Sequence, residues 1–505
     1  MGYVSKFATF ILALLACASI GASAAAPRPQ PVPTTIPDAV TRHTMQLHGK
    51  ALTYVARAGT ITIRDANEKP LANMFYTAYT SDSGNASRPI TFVYNGGPGS
   101  SSIWLRMGSF GPVRVVTPGA PTGAAPYTLV ENQNTLLDVT DLVFIDIADS
   151  GFGRVYPGTD AKKFFGVDAD VAAFAQFIER YLNTFNRWTS PKYLFGESYG
   201  APRSAMLANY LQQANIGLNG VILQSSLLNE SLSTPFAAGG SDTDDWQYVF
   251  ALPTEAATAY HYHMAQSSPR TLPEFVAQAS HFSMTDYRAA LAEGNQLSDI
   301  RREQIVRELH RYTGLSEAYI RNSNLRLPLI RFVSELRRSA GLTQGIYDSQ
   351  IELTMLDRGQ EFPATDPTNQ LYGPPYFALA NQYLRRTLNY NPPLLYRAGA
   401  YTQIQEIGGW DFRHNGALPM DTGQDLAQAM VANPKLRVFS ANGYFDIATP
   451  FAATVYTLNH LGIAPSLQKN ISYGFYPGGH MAYANADALA MYHNDLERWY
   501  RSGRF

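Results

Sequence analysis

Three residues far apart in this 505-residue chain could together activate a hydroxyl: Ser198 in "KYLFGESYG", Asp446 in "NGYFDIATP" and His480 in "PGGHMAY". A serine hydroxyl is a poor nucleophile at neutral pH and needs a base to take its proton and an acid to orient that base. The order serine, acid, histidine is the one found where the serine stands on a strand-to-helix turn. An oxyanion formed by attack needs fixed N–H donors. Tyr199, directly after the serine, offers one; the loop "YNGGPGSSS" offers another, because Gly96 and Gly97 let backbone approach where a side chain would intrude. Glu197, immediately before the serine, is unusual: an acid there is either part of a surface turn or a reader of the substrate. His261 and His263 stand two apart without an acidic or histidine partner at ligand spacing, so neither a metal nor a cofactor is expected.

A serine nucleophile of this kind requires a buried strand, a sharp turn and a closely packed helix. Tyr193-Leu194-Phe195 suits the strand, and Ala205, Met206, Ala208 and Leu211 fall at helical spacing after it. Pro202 fits the first helical turn, where no intrahelical donor is lost. "ITFVYNGGPG", "DLVFIDIADSGFG", "KYLFGESYG" and "GVILQSS" are short apolar runs separated by helix-length stretches. They predict an α/β fold with a mostly parallel central sheet flanked by helices. Before them, "TITIRDANEKPLANMFYTAYT" alternates across a turn like an antiparallel hairpin. From about 245 to 340 the texture becomes helical, with "IRREQIVRELHRY" and "LIRFVSELRRSAG", and the short-strand pattern returns at "LRVFSANGYFD" and "ISYGFYPGGH". The expected organisation is a core over 43–230, a mainly helical cap inserted over 231–429, and the rest of the core over 430–505.

The chain can bury about three quarters of its unfolded surface. With 39 Lys plus Arg against 40 Asp plus Glu, and no basic run, it has no charge excess to draw nucleic acid or anionic membrane. The N-terminus carries Lys6, an apolar stretch from Phe7 to Ile20 and the small residues Ala22-Ser23-Ala24, as an export signal over 1–26 does. A proline-rich linker over 27–42 follows. No later segment is long and apolar enough to span a bilayer, so the mature form is expected without an integral span, in the bacterial periplasm or outside the cell. The sole cysteine, Cys17, lies within the signal; the Ala22-Ser23-Ala24 site is favoured over lipid anchoring there, which leaves a mature chain with no disulfide. The Asn-x-Ser sequons at Asn85, Asn229 and Asn470 are read as chance.

Taken together, "NGGPGSSSIWLRMGSFGP", "FGESYG", "NGYFDIATP" and "GGHM" resemble the serine carboxypeptidase family, especially its bacterial members. The resemblance implies an α/β-hydrolase fold and release of C-terminal residues from peptides, often at acidic pH. It further implies Ser198 as nucleophile, His480 as base, Asp446 as its partner, Gly97 with Tyr199 as oxyanion hole, and Asn95, Gly96 and Glu197 around the substrate's terminal carboxylate. An ionised glutamate would repel that carboxylate, whereas one shared proton makes the pair a strong hydrogen bond. Binding of peptides should therefore weaken as pH rises, and esters should escape the dependence.

Three positions depart from the family pattern. Ser109 stands where many members have a second glutamate, which predicts a shallower acid dependence; Ser100 replaces a cysteine; and Asp149 lies in the loop "DIADSGFG", read as a solvated acid or an altered subsite. Trp104, Arg106 and Tyr444 flank the motifs and could line subsites, although aromatic residues there pack as often. An esterase or acyltransferase with the same residues, and an inert peptide-binding protein, are the competing expectations.

Overall fold

The alternation in "TITIRDANEKPLANMFYTAYT" folds into two antiparallel strands whose partners run from Tyr54 with Ser81 to Ile63 with Ala72. The structure, a computed structural model, describes residues 36–82, 87–117, 124–232, 245–266 and 271–503. The signal, most of the proline-rich linker and the Asn85 sequon lie outside the described residues.

Ten strands form the main sheet: β1 (Ala39–Leu47), β2 (Lys50–Arg64), β3 (Pro70–Ser81), β4 (Ile90–Tyr94), β5 (Asp141–Ile145), β6 (Arg154–Val155), β7 (Lys192–Glu197), β8 (Gly220–Gln224), β9 (Arg437–Gly443) and β10 (Ile471–Tyr476). Their order is β1-β2-β3-β5-β4-β7-β8-β9-β10, with β6 pairing β3 at the side. The first three strands and the β3–β5 and β3–β6 pairings are antiparallel; from β5 to β10 every pairing is parallel. Strands β4, β5, β7 and β8 are buried along their whole length. That explains their unbroken apolar runs, since a parallel sheet has helices on both faces.

One face is covered by α1 (Val167–Thr184), α2 (Gly200–Gln213) and α3 (Gly423–Ala432), through Phe174, Phe177, Leu207, Leu211 and Met430. The other face holds Tyr376 and Leu379 of the helix Pro367–Gln382 and Tyr492, Leu496 and Trp499 of the helix Ala486–Ser502. Strands β8 and β9 are sheet neighbours, Leu223 opposite Ser440, so everything between them leaves the sheet and returns.

The stretch expected as a cap, 231–429, behaves as two kinds of segment. Helices from Trp246 to Glu335 gather Leu252, Phe275, Leu309, Ile330 and Phe332 into a core of their own, joined to the sheet side by Ile447 and Ala448. The helices Pro367–Gln382 and Gly423–Ala432 instead bury their apolar sides on the two sheet faces. Sequence texture alone does not separate the two, because amphipathic helices show the same periodicity whichever surface covers them.

Candidate active site

Strand β7 ends at Glu197, and α2 begins at Gly200. Between them Ser198 has φ 61°, in the left-handed region that a residue with a side chain enters at a cost of about 1–3 kcal/mol. Its N–H donates to Gln224 O of the adjacent strand at 2.9 Å, which pins the turn. The glycines on either side answer to packing: a Cβ on Gly196 would strike the Gly200 carbonyl and Ser204 Oγ, and one on Gly96 would strike the N–H groups of Tyr199 and Gly200. The Gly96-Gly97 loop thus lies against the turn, and among the described residues no acceptor takes the N–H of Gly97 or of Tyr199.

Asp446 follows β9 and His480 follows β10, both buried. His480 Nδ1 lies 2.9 Å from Asp446 Oδ2 and 3.1 Å from Oδ1. Thr449 supports the carboxylate from the next turn, its N–H on Oδ1 at 2.9 Å and its hydroxyl on Oδ2 at 2.7 Å. Ser198 and His480 line one cavity with Asn95, Gly97 and Glu197. Ser198 makes no hydrogen bond to the imidazole here; such contacts tighten when substrate is bound.

Glu197 is buried behind the serine. Asn95 Nδ2 donates to its Oε1 at 2.8 Å, and Gln224 Nε2 to its Oε2 at 3.2 Å. Asn95 Oδ1 accepts Leu105 N–H at 3.0 Å, so the amide nitrogen is the end turned to Glu197. Burial pushes the Glu197 carboxyl up to about 7, with the nearby Asp446 charge in the same direction and His480, Tyr483 and Asn95 opposing. For His480 burial favours the neutral ring, but the Asp446 charge and hydrogen bond outweigh it and raise the pKa above the usual histidine value. A raised pKa makes the ring a stronger proton acceptor.

A loop from the inserted region, 345–349, joins the two acidic and basic turns, and no motif in the sequence announced it. Tyr347 O accepts His480 N–H at 2.5 Å, and the two rings meet edge to face with centroids 5.2 Å apart. Ile346 O accepts the N–H groups of Ile447 and Ala448 at 3.1 Å, and Ser349 N–H donates to Phe445 O at 3.1 Å. Asp348 is buried beside this junction, its carboxyl pushed up to about 7 by burial. Tyr347 and Asn369, also from the insertion, complete the cavity wall with Trp104, Tyr401 and Met481.

Four flanking residues do not line the cavity. Arg106 is fully buried and paired with Asp146 at 2.5 Å, so it does not line the cavity. Asp149 is buried and paired with Arg397 at 2.7 Å, not solvated. Tyr444 packs on Phe451 and Phe475 away from the cavity wall. Ser109 donates its hydroxyl to Leu105 O at 2.6 Å and so closes its own helical turn. Ser100 and Trp104 do face the cavity.

Residues 52–470 match the serine carboxypeptidase family. The chain belongs to that family. The match takes in Ser198 and Asp446 and ends ten residues short of His480. With the mostly parallel sheet and its flanking helices, it identifies the scaffold as an α/β-hydrolase fold. Serine carboxypeptidase S10 family member 1 of Dictyostelium discoideum is 26% identical over 180 residues, 35% of this chain and 41% of its own length. A pheromone-processing carboxypeptidase of Saccharomyces cerevisiae is 30% identical over 175 residues, covering 31% and 22%. The P-(S)-hydroxymandelonitrile lyase of Sorghum bicolor is 28% identical over 182 residues, covering 34% and 33%. The aligned stretch spans less than half the length of each of these relatives.

Proposed function

We propose that the protein is an exported serine carboxypeptidase that releases C-terminal residues from peptides through an acyl-enzyme on Ser198. The observation that carries this reading is the buried Glu197 carboxyl, held by Asn95 and Gln224 on the same cavity as Ser198 and His480. An ester substrate offers no acid group to share a proton with Glu197. A terminal carboxylate does, provided the pair keeps one proton, and burial raises the Glu197 pKa in the direction that keeps it.

In this mechanism the terminal carboxylate of the peptide sits on Glu197, Asn95 and the Gly96 backbone, which sets the scissile carbonyl over Ser198. Ser198 Oγ attacks; His480 Nε2 takes its proton while Asp446 holds the opposite ring nitrogen. The carbonyl oxygen becomes an anion and is met by the N–H groups of Gly97 and Tyr199. The protonated His480 gives its proton to the leaving amine, the C–N bond breaks and the free amino acid departs. Water, deprotonated by His480, then attacks the acyl-serine and restores the hydroxyl.

The test is a pH series of rates on a blocked dipeptide, its amide and its methyl ester, with Ser198→Ala as control. The reading expects the free acid to be cleaved best at low pH and the ester to vary less. Cleavage of the ester alone would leave Ser198 as nucleophile and favour an esterase or acyltransferase. Among the described residues no helix is long and apolar enough to cross a membrane.

A further inference from the structure

Gln224 and Glu197 are opposite partners at the ends of the parallel strands β8 and β7, so their side chains leave the sheet on the same side. The Gln224 side chain is buried and does not line the cavity, yet its amide nitrogen meets two groups of the site at once: Glu197 Oε2 and His480 O, each at 3.2 Å. A main-chain carbonyl oxygen is met by a donor, so the contact with His480 fixes which end of the amide faces Glu197. Its Oε1 is left buried without a partner among the described residues, which costs stability. An apolar side chain of the same length would fill that room without the cost, so packing does not account for the amide.

We propose that Gln224 is a positioning residue of the carboxylate-binding site, its amide nitrogen tying Glu197 to the main chain of His480 and turning the proton of Glu197 toward the substrate. This rests on the reading of Glu197 and Asn95 as the holders of a terminal carboxylate. Asn95 donates to Oε1 and Gln224 to Oε2, so both oxygens of the carboxyl are held and its plane is set. Neither amide nitrogen can accept a proton from Glu197. The acid lines the cavity, and that is the side on which it offers the proton.

Two further bonds keep the catalytic turns supported without this side chain. Ser198 N–H donates to the main-chain oxygen of Gln224, and Ser225 Oγ donates to His480 O at 2.7 Å, so replacing the amide leaves each turn with a partner. The titratable groups that act on Glu197 are His480 and Asp446 from the loops after β10 and β9, Tyr347 from the inserted loop, Tyr376 from the helix Pro367–Gln382, Tyr483 from the turn Ala482–Ala484 and Tyr492 from the C-terminal helix. Desolvation raises the pKa of all four phenols, which stay protonated, so His480 and Asp446 are the charged members of this set. Acid and ester substrates feel those two alike. A donor to Glu197 favours its ionised form, so removing Gln224 Nε2 must raise the pH at which Glu197 loses its proton.

The experiment measures KM against pH, from 4 to 9, for the blocked dipeptide acid and its methyl ester in wild type and Gln224→Met, and takes the ratio of acid to ester so that the titration of His480 cancels. In Gln224→Met the low-pH plateau of the ratio should rise by roughly threefold to tenfold, as the carboxyl loses one of its two anchors. The midpoint at which the ratio climbs should move up by about one pH unit, as the ionised form loses a donor. A packing defect, or an effect through His480 alone, would lower kcat for both substrates and leave the midpoint in place. Should Gln224→Met not fold, Gln224→Glu keeps the shape and sets a second carboxyl against Glu197, and the climb should split into two coupled steps. With a pH-dependent wild type, an unmoved or lowered midpoint in Gln224→Met, an unchanged plateau there, or a single unshifted step in Gln224→Glu would overturn the role of Gln224 alone. A wild-type ratio that does not vary with pH would overturn the carboxylate-site reading and this proposal with it.

Discussion

Asn95 holds Glu197: its amide nitrogen lies 2.8 Å from Oε1 while its amide oxygen is tied to the Leu105 N–H at 3.0 Å. The orientation of the amide is thereby fixed, and so is the direction in which it presents a donor to a carboxylate entering the cavity. Glu197→Gln should keep the donor and remove the titration. In wild type, KM for a free-acid peptide is expected to rise about tenfold per pH unit above about 7; in Glu197→Gln it should be flat from pH 5 to 8. Steady-state kinetics on one acid substrate decides this.

Asp446→Asn and Asn95→Ala should separate chemistry from recognition. Loss of the carboxylate that orients His480 is expected to lower kcat by roughly 10⁴ for peptide and ester alike. Asn95→Ala removes a hydrogen bond to charge, about 1.5–3 kcal/mol, and should raise KM for free acids by one to two orders of magnitude while sparing the ester. The ratio of acid to ester kcat/KM in the two variants is the readout.

Gly96→Ala should abolish turnover more than folding. The new methyl points at the N–H groups of Tyr199 and Gly200, where the backbone of the serine turn approaches closest. Displacing one oxyanion donor costs about 10² to 10³ in kcat. Fluorophosphonate labelling per folded molecule, measured beside a thermal melt, distinguishes this from misfolding.

Arg106→Met should be a stability variant, not a specificity variant. The guanidinium is fully buried against Asp146, and breaking such a pair leaves an uncompensated charge worth about 3–5 kcal/mol. Tm should fall, while KM ratios among peptides with different terminal residues stay as they were. A change in those ratios would return Arg106 to the cavity wall.

Glu255 is buried in the helix Trp246–His261, and its Oε1 has no partner among the described residues. Burial raises its pKa well above the ordinary carboxyl value. A carboxyl raised in the folded state stabilises fully below its unfolded pKa and loses that contribution as pH climbs through the folded value. Glu255→Gln should therefore matter little at pH 4 and raise stability at pH 8, by roughly 1–3 kcal/mol. Denaturant melts at the two pH values measure the difference.

What the sequence determined by itself is local. A strand, a turn and a helix are short-range objects, so "KYLFGESYG" sufficed to predict β7, the turn at Ser198 and the helix after it, and the apolar runs sufficed for a parallel sheet. The glycines of "NGGPG" could be read because a missing side chain marks a close approach. The proximity of Asp446 and His480 could only be inferred from order, and the structure brings them to hydrogen-bond distance at the ends of neighbouring strands.

Only the tertiary structure decided what surrounds Glu197 and what braces His480. Gln224, Tyr347 and Tyr483 come from three unrelated stretches of chain, and none carries a spacing that points to the others. Arg106 looked like a subsite residue and Asp149 like a solvated loop acid or an altered subsite, yet their charges are turned to Asp146 and Arg397. Adjacency along the chain fixes where a backbone goes; which way a charged side chain turns depends on whether burial has supplied it with a partner, and that partner lies tens or hundreds of residues away.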